Sequence, residues 1–283
     1  MVSSQFTRRC SSQLALMLTP GIKSWIVMEL VSPLFFTCAL LRSPLSSSPP
    51  SLSVNQILLV LLYLLHYANR ALFSPLRTPS RSKSHISVPV VGVFFNTING
   101  SLMGTYLSSP ASHAFLSNTT PLFYIGLGVW ALGFVGNIIH DEILLDIRRK
   151  AKSKGKGQAR NDDTKQRTPE HYAIPYGLLY RYVSYPNYLC EWFEWFGFAL
   201  AAAPFPSISA SQLSFSAFSW SSVSSFLSAP PSLFAPSLSP PYIFLLSEIL
   251  LMLPRAYKGH LWYKERFGDR YPKERKVIVP FVL

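Results

Sequence analysis

The sequence predicts an all-α protein, a polytopic membrane helix bundle of six to seven transmembrane helices. Three observations predict it. The chain is 49% hydrophobic and only 14% charged, where a soluble domain carries about a quarter charged residues. Its apolar runs approach the roughly 20 residues that a helix needs to cross a bilayer. Its basic residues gather in alternate connections between those runs, as the positive-inside rule requires.

In chain order the candidate spans are 22–41, 54–73, 86–107, 121–147, 178–204 and 241–257. Residues 1–21 are basic, Ser-rich and free of acids, and are expected to be disordered or targeting-like. Residues 22–283 are read as one membrane domain. Connection 42–53 carries only Arg42, whereas 74–85 carries Arg77, Arg81 and Lys83. Connection 108–120 has no Lys or Arg. Segment 148–170 is densely basic, from Arg148 to Arg167, and 205–240 has no charge of either sign. This alternation puts both termini, 74–85 and the basic loop 148–170 in the cytosol. The Ser/Pro-rich loop 205–240 and the sequon at Asn118 then lie on the other side. Residues 152–168, in the basic loop, are expected to be disordered, and 213–227 to lie on the surface or re-enter.

The net charge of +13 raises the question of nucleic acid. Its confinement to loops excludes that reading, because no basic helix with interleaved aromatics is present. The three cysteines, Cys10, Cys38 and Cys190, are scattered without ligand spacing, so neither a disulfide framework nor a metal site is expected.

The informative residues are polar ones inside the spans, where ionisable groups are costly. In "GNIIHDEILLDIRRK" (136–150), Asn137, Asp141 and Arg148 fall within about 40° of one another on a helix, while Glu142 and Asp146 point elsewhere. In the next span Asn187 and Glu191 share a face, with Glu194 about 20° to the other side of Asn187. The first run holds Glu29, and the end of the second holds His66, Tyr67, Asn69 and Arg70. Asn96, Asn99, Gly100 and Gly104 suit close packing or a cavity wall. Near the C-terminus, Arg255, His260 and Tyr263 suit a phosphate or nucleotide contact. Polar glue between helices is the bland alternative for each set. Among nucleotide sites a Rossmann fold is excluded, since no GxGxxG occurs.

The ordered set "WIVMELVSP", "LHYANRAL", "NTINGSLMGTYL", "GNIIHDEILLDIRRK", "YAIPYGLLYRYVSYPNYLCEWFEWFGFAL" and "RAYKGHLWYKERFGDRYPKERKVIVPF" resembles the steroid 5α-reductase family. The resemblance runs from about Trp25 to the C-terminus, interrupted by the two low-complexity loops. It implies a multi-pass endoplasmic reticulum membrane enzyme that uses NADPH to reduce a carbon–carbon double bond conjugated to a carbonyl. The expected substrate is a 3-oxo-4-ene steroid or sterol-like lipid, and the expected state is a monomer. By resemblance, Glu29 and Tyr67 hold the carbonyl oxygen. Asn137, Asp141, Arg148, Asn187 and Glu191 line the NADPH site, joined by Arg70 and Arg255, with His260 and Tyr263 in the matching C-terminal block. Both Glu29 and Tyr67 are expected to donate hydrogen bonds to an oxygen that gains negative charge as hydride arrives. The chain departs from the family pattern at Met28, Ser74 and Ala173, and the usual first helix is expected to be missing. An enoyl-CoA or polyprenoid reductase and a membrane methyltransferase of the isoprenylcysteine type are the alternatives.

Overall fold

The computed structural model describes residues 18–19, 21–47, 51–79, 81, 83–158, 172–206 and 239–283. They form seven main helices: α1 (Gly21–Arg42), α2 (Val54–Tyr67), α3 (Ser87–Leu107), α4 (Pro110–Leu116), α5 (Pro121–Gln158), α6 (Pro186–Ala202) and α7 (Pro240–Phe267). The only strands among the described residues are Leu18–Thr19 and Ser84–His85, two residues each, paired antiparallel. The all-α bundle predicted from composition is therefore the fold. The Ser-rich segment 213–227 and most of the two low-complexity loops lie outside the described residues.

Three helical stretches, Gly21–Arg42, Val54–Arg77 and Pro121–Ser153, are long and apolar enough to cross a membrane by length and composition. The other candidate spans fall short of that measure for visible reasons. Helix α3 carries Asn96, Thr97, Asn99 and Thr105, α6 is only 17 residues with two glutamates, and α7 turns basic beyond Pro254.

Three boundaries differ from the sequence reading, one being the end of α7, which runs to Phe267 instead of 257. The fifth span was expected from 178, but α6 starts at Pro186, which occupies its first turn. Residues Leu178–Arg181 form a 3₁₀ turn instead, entered through Gly177 at φ +104°. His140 fixes this turn: its Nε2 accepts from the Leu179 N–H, and the Tyr180 hydroxyl donates to its carbonyl. Helix α5 also continues through 148–158, well into the basic segment.

Helix α2 does not stop at Tyr67. It widens into a π-turn, Ala68–Phe73, and resumes as Ser74–Arg77. Such a turn inserts one extra residue and re-aims side chains, and it recurs at functional sites. Here it carries Arg70.

Small residues set how closely the helices approach. A Cβ on Gly100 would strike the Ser32 carbonyl, and one on Gly104 the Phe36 carbonyl, so α3 lies directly on α1. Gly126, Gly133 and Gly197 do the same between α5 and α6. Between these two tight pairs, Phe36, Tyr63, Tyr67, Trp195, Phe198 and Phe244 form the aromatic centre of the core. Phe36 stacks on Tyr63 at 4.0 Å, and Trp195 meets Phe244 edge-on at 4.5 Å. Gly133→Val would drive a branched side chain into the Glu194 backbone. It is expected to cost about 1–3 kcal/mol, read as a lower melting temperature in detergent, and to reduce whatever binding depends on α6.

Candidate active site

The polar residues of the spans converge on one place. Glu29 comes from α1, Tyr67 and Arg70 from α2, Asn137 and Asp141 from α5, and Asn187 and Glu191 from α6. The Arg70 guanidinium joins them. Its Nη1 donates to Glu191 Oε2 at 3.2 Å, and its Nε lies 3.6 Å from Glu29 Oε1. Asn137 Nδ2 donates to the same Glu191 oxygen at 3.2 Å and to the Asn187 carbonyl at 3.3 Å. Asn187 Nδ2 donates in turn to Asp141 Oδ1 at 3.0 Å. Six residues from four helices thus form one continuous chain. Glu29, Asn137 and Glu191 are all buried.

Tyr67 stands beside this chain in an amide-centred group. Asn99 Nδ2 donates to the hydroxyls of Tyr67 and Tyr63, each at 3.2 Å. Tyr63 shares a further hydrogen bond with Ser32 at 2.7 Å. Tyr67 and Glu29 lie within range of charge interaction. The Arg70 guanidinium, carried by the π-turn, stands beside Glu29, so the carboxyl expected to donate to a carbonyl oxygen also has a cation next to it.

Not every predicted residue joins the buried chain. Arg148 and Arg255 are exposed. His260 hydrogen-bonds Ser184 Oγ at 2.5 Å, and Ser184 also meets the Tyr271 hydroxyl at 2.7 Å. Tyr263 stacks on Tyr271 at 5.6 Å. His260 lines a cavity of about 300 Å³ together with Lys264 and Lys276, and a separate open cavity of about 660 Å³ is lined by Tyr176, Leu178, Arg181, Tyr182, Pro272 and Arg275. Arg275 is 2% exposed, donates to the Pro175 carbonyl at 3.2 Å, and keeps Nε and Nη1 unpartnered. As expected, Glu142 and Asp146 point away: Glu142 pairs with Arg77 and Arg149, and Asp146 with Lys150.

Arg81, counted in the sequence only as a loop charge, comes near Arg70. Its guanidinium lies 3.6 Å from the centre of the Trp25 indole, which also receives Arg70 at 5.1 Å. Burial, and then the nearby charges of Arg70, Arg255 and Arg148, bring Arg81 down to about 10. Tyr263 lies in reach of both Arg148 and Arg275. Arg70 and Arg81 thus meet at the Trp25 indole, while Arg181 and Arg275 line the open cavity. Guanidinium groups crowded without enough carboxylates are a ready site for phosphates.

Two more acidic groups were passed over as site residues. Glu194 is fully buried, with Oε1 2.6 Å from His66 Nδ1 and Oε2 unpartnered. Glu248 of α7 interacts electrostatically with Glu29, Arg70, Glu191 and Glu194. An acid inside "FLLSEILL" is the same signal that identified Glu29.

The donor set fits a pyridine dinucleotide. Amides and carboxylates form the buried end, and Arg275 keeps two unpartnered N–H groups at the open cavity. Asn187 Oδ1 is buried with no partner, an acceptor left for a ligand. No group of His, Cys, Asp and Glu suited to a metal ion occurs among the described residues.

A family model described as 3-oxo-5-alpha-steroid 4-dehydrogenase matches residues 82–227 and 232–283. An uncharacterized protein of Schizosaccharomyces pombe is 40% identical over 275 residues, covering 93% of this chain and 84% of that protein. The 3-oxo-5-alpha-steroid 4-dehydrogenase 1 of Mus musculus is 31% identical, covering 100% of this chain and 89% of its own. Steroid 5-alpha-reductase DET2 of Solanum lycopersicum is 30% identical over 80% of this chain and 68% of its own.

Proposed function

The chain belongs to the 3-oxo-5-alpha-steroid 4-dehydrogenase family, and on that premise we propose that it reduces the 4,5 double bond of a 3-oxo-4-ene steroid or sterol-like lipid with NADPH. The observation that carries this reading is the chain Glu29–Arg70–Glu191–Asn137–Asn187–Asp141 beside Tyr67. It sets carbonyl-binding groups next to amide and carboxylate groups that suit a nicotinamide and its ribose.

When bound, NADPH supplies the hydride that goes to the β-carbon of the enone. The residues of this chain do the rest. Tyr67, oriented by Asn99, donates a hydrogen bond to the carbonyl oxygen, and Glu29 in its neutral, protonated form donates a second from α1. These bonds strengthen as the oxygen gains charge, so they favour the transition state over the ketone. Arg70 holds Glu29 and Glu191 at a fixed spacing. Asn137, Asn187, Asp141 and Glu191 orient the carboxamide and ribose. Arg81, Arg148 and Arg255 neutralise phosphates, with His260 and Tyr263 flanking the outer end. A proton from solvent completes the α-carbon.

The alternation of basic connections supports a multi-pass membrane enzyme with cytosolic termini, and the family suits the endoplasmic reticulum membrane. That orientation lets a soluble, anionic cofactor enter from the cytosol. Membranes from cells expressing the chain, given NADPH and a 3-oxo-4-ene steroid, are expected to form the 5α-reduced product, read by mass spectrometry. Formation of a methylated product from S-adenosylmethionine, with no NADPH consumption, would overturn the proposal.

A further inference from the structure

Arg275 is a buried cation whose charge the protein leaves unbalanced. Its Nη2 donates to the Pro175 carbonyl, while Nε and Nη1 are buried with no partner. The Tyr176 and Tyr271 rings lie 5.5 and 5.1 Å from its guanidinium. Arg181 lines the same open cavity of about 660 Å³. Among the described residues no carboxylate lies within ion-pair distance of either arginine. A guanidinium stays charged at any pH the protein meets, and burying it unpaired is costly. An anion from outside the chain is the missing partner.

The cavity is preformed. Its walls come from the segment before α6 and the segment after α7, which a parallel bridge joins at Val183 and Lys276. The Lys276 N–H donates to the Tyr182 carbonyl at 2.8 Å, and the Ser184 N–H to the Lys276 carbonyl at 2.9 Å. By the alternation of basic connections both segments are cytosolic. None of the arginines proposed to neutralise the cofactor's phosphates, Arg81, Arg148 and Arg255, lines this cavity. Its rim is apolar and open to the outside. Tyr176, Leu178 and Tyr182 are exposed, as is Phe281, whose ring centre lies 5.5 Å from that of Tyr182. Leu178 sits at φ +46°, a conformation that favours glycine or asparagine. An exposed leucine there is disfavoured by the backbone and by water alike, and suits a surface covered by lipid. Tyrosines beside basic residues are what the membrane–water boundary favours.

We propose that this cavity binds the phosphate of an anionic phospholipid from the cytosolic leaflet, with Arg181 and Arg275 on the phosphate and Leu178, Tyr182 and Phe281 against the start of the acyl chains. Basic pockets on the cytosolic side of a helix bundle suit such headgroups, because that leaflet is the anionic one. A soluble phosphate carries the same charge but gains nothing from the apolar rim. The site rests on the cytosolic orientation proposed above and is independent of the reaction.

The test uses the purified full chain in a non-ionic detergent, with binding read by native mass spectrometry. The probes are dioctanoyl phosphatidic acid, dioctanoylglycerol with the same tails and no phosphate, and inorganic phosphate. Phosphatidic acid is expected to bind wild type at least about tenfold more tightly than either, since each buried methylene adds to the phosphate contact. Arg181→Glu, at an exposed position, should weaken phosphatidic acid by about tenfold or more, the range for a hydrogen bond to a charged group, and leave the KM for NADPH unchanged. Leu178→Asn suits the left-handed backbone and should narrow the gap between phosphatidic acid and inorganic phosphate. Arg275→Gln should abolish binding, and the two surface variants decide the matter if that protein does not fold. Equal phosphatidic acid binding in Arg181→Glu and wild type overturns the proposal, as does a gap unaltered in Leu178→Asn or no binding to folded wild type. Inorganic phosphate bound as tightly as phosphatidic acid would make the cavity a site for soluble anions. Displacement of phosphatidic acid by NADPH, or a raised KM for NADPH in Arg181→Glu, would make it part of the cofactor site. Either result overturns the lipid assignment. Lipid binding as expected in a chain that reduces no steroid would sink the reductase reading alone.

Discussion

Tyr67→Phe is expected to lower turnover of a 3-oxo-4-ene steroid by about 10²–10³-fold, the usual loss for one donor to a developing oxyanion, and Glu29→Gln, which loses the acidic O–H but keeps an N–H, by a smaller factor. NADPH binding, followed by its fluorescence, should change little. The two variants act through different surroundings, which makes the pair informative. Tyr67 is held by Asn99 and belongs to no ion pair. Glu29 also faces Arg70, so Glu29→Gln weakens that contact as well as the carbonyl site. A loss shared by both variants then points to the carbonyl oxygen as the common target. The double variant should be little worse than the poorer single one, since groups that act as a unit are strongly non-additive. Activity that survives both substitutions would remove these residues from the chemistry and leave their polar contacts as helix packing.

Much of this arrangement was legible in the sequence, and the parts that were not have physical reasons. Helical periodicity put Asn137 with Asp141, and Asn187 with Glu191, on common faces, and α5 and α6 do bring those faces together. The glycines at 100 and 104 marked the α1–α3 contact. Periodicity within one helix says nothing of depth, however. Arg148 continues the Asn137 stripe yet is exposed, because α5 carries it past the buried centre. His260 and Tyr263 were grouped with the nucleotide residues by sequence block, but they pack with Ser184 and Tyr271 at the outer end. The π-turn at Ala68–Phe73 has no sequence mark of its own. It is what directs Arg70 to two carboxylates. The 3₁₀ turn before α6 was hidden by apolar residues that suit a helix equally well, and only Pro186 hinted at the true start.

Arg70 makes the second large prediction, and it concerns the fold as much as the site. Its guanidinium serves Glu29 through Nε and Glu191 through Nη1. Arg70→Met leaves the buried Glu191 carboxylate without its hydrogen-bonded cation, and removing one partner of a buried ion pair costs about 3–5 kcal/mol. The expected result is a sharp fall in melting temperature and in the yield of folded protein from membranes. Arg70→Lys should recover little, since a single ammonium cannot reproduce two N–H groups in a planar fork. Adding Glu191→Gln to Arg70→Met should restore a measurable part of the stability. The glutamine removes one stranded charge while its carbonyl still accepts from Asn137. That rescue separates charge burial from lost packing, because a cavity left by the shorter side chain would persist in the double variant. An unchanged melting temperature in Arg70→Met would mean that water reaches the carboxylates freely, and that the centre is an open, solvated cleft rather than a closed polar core.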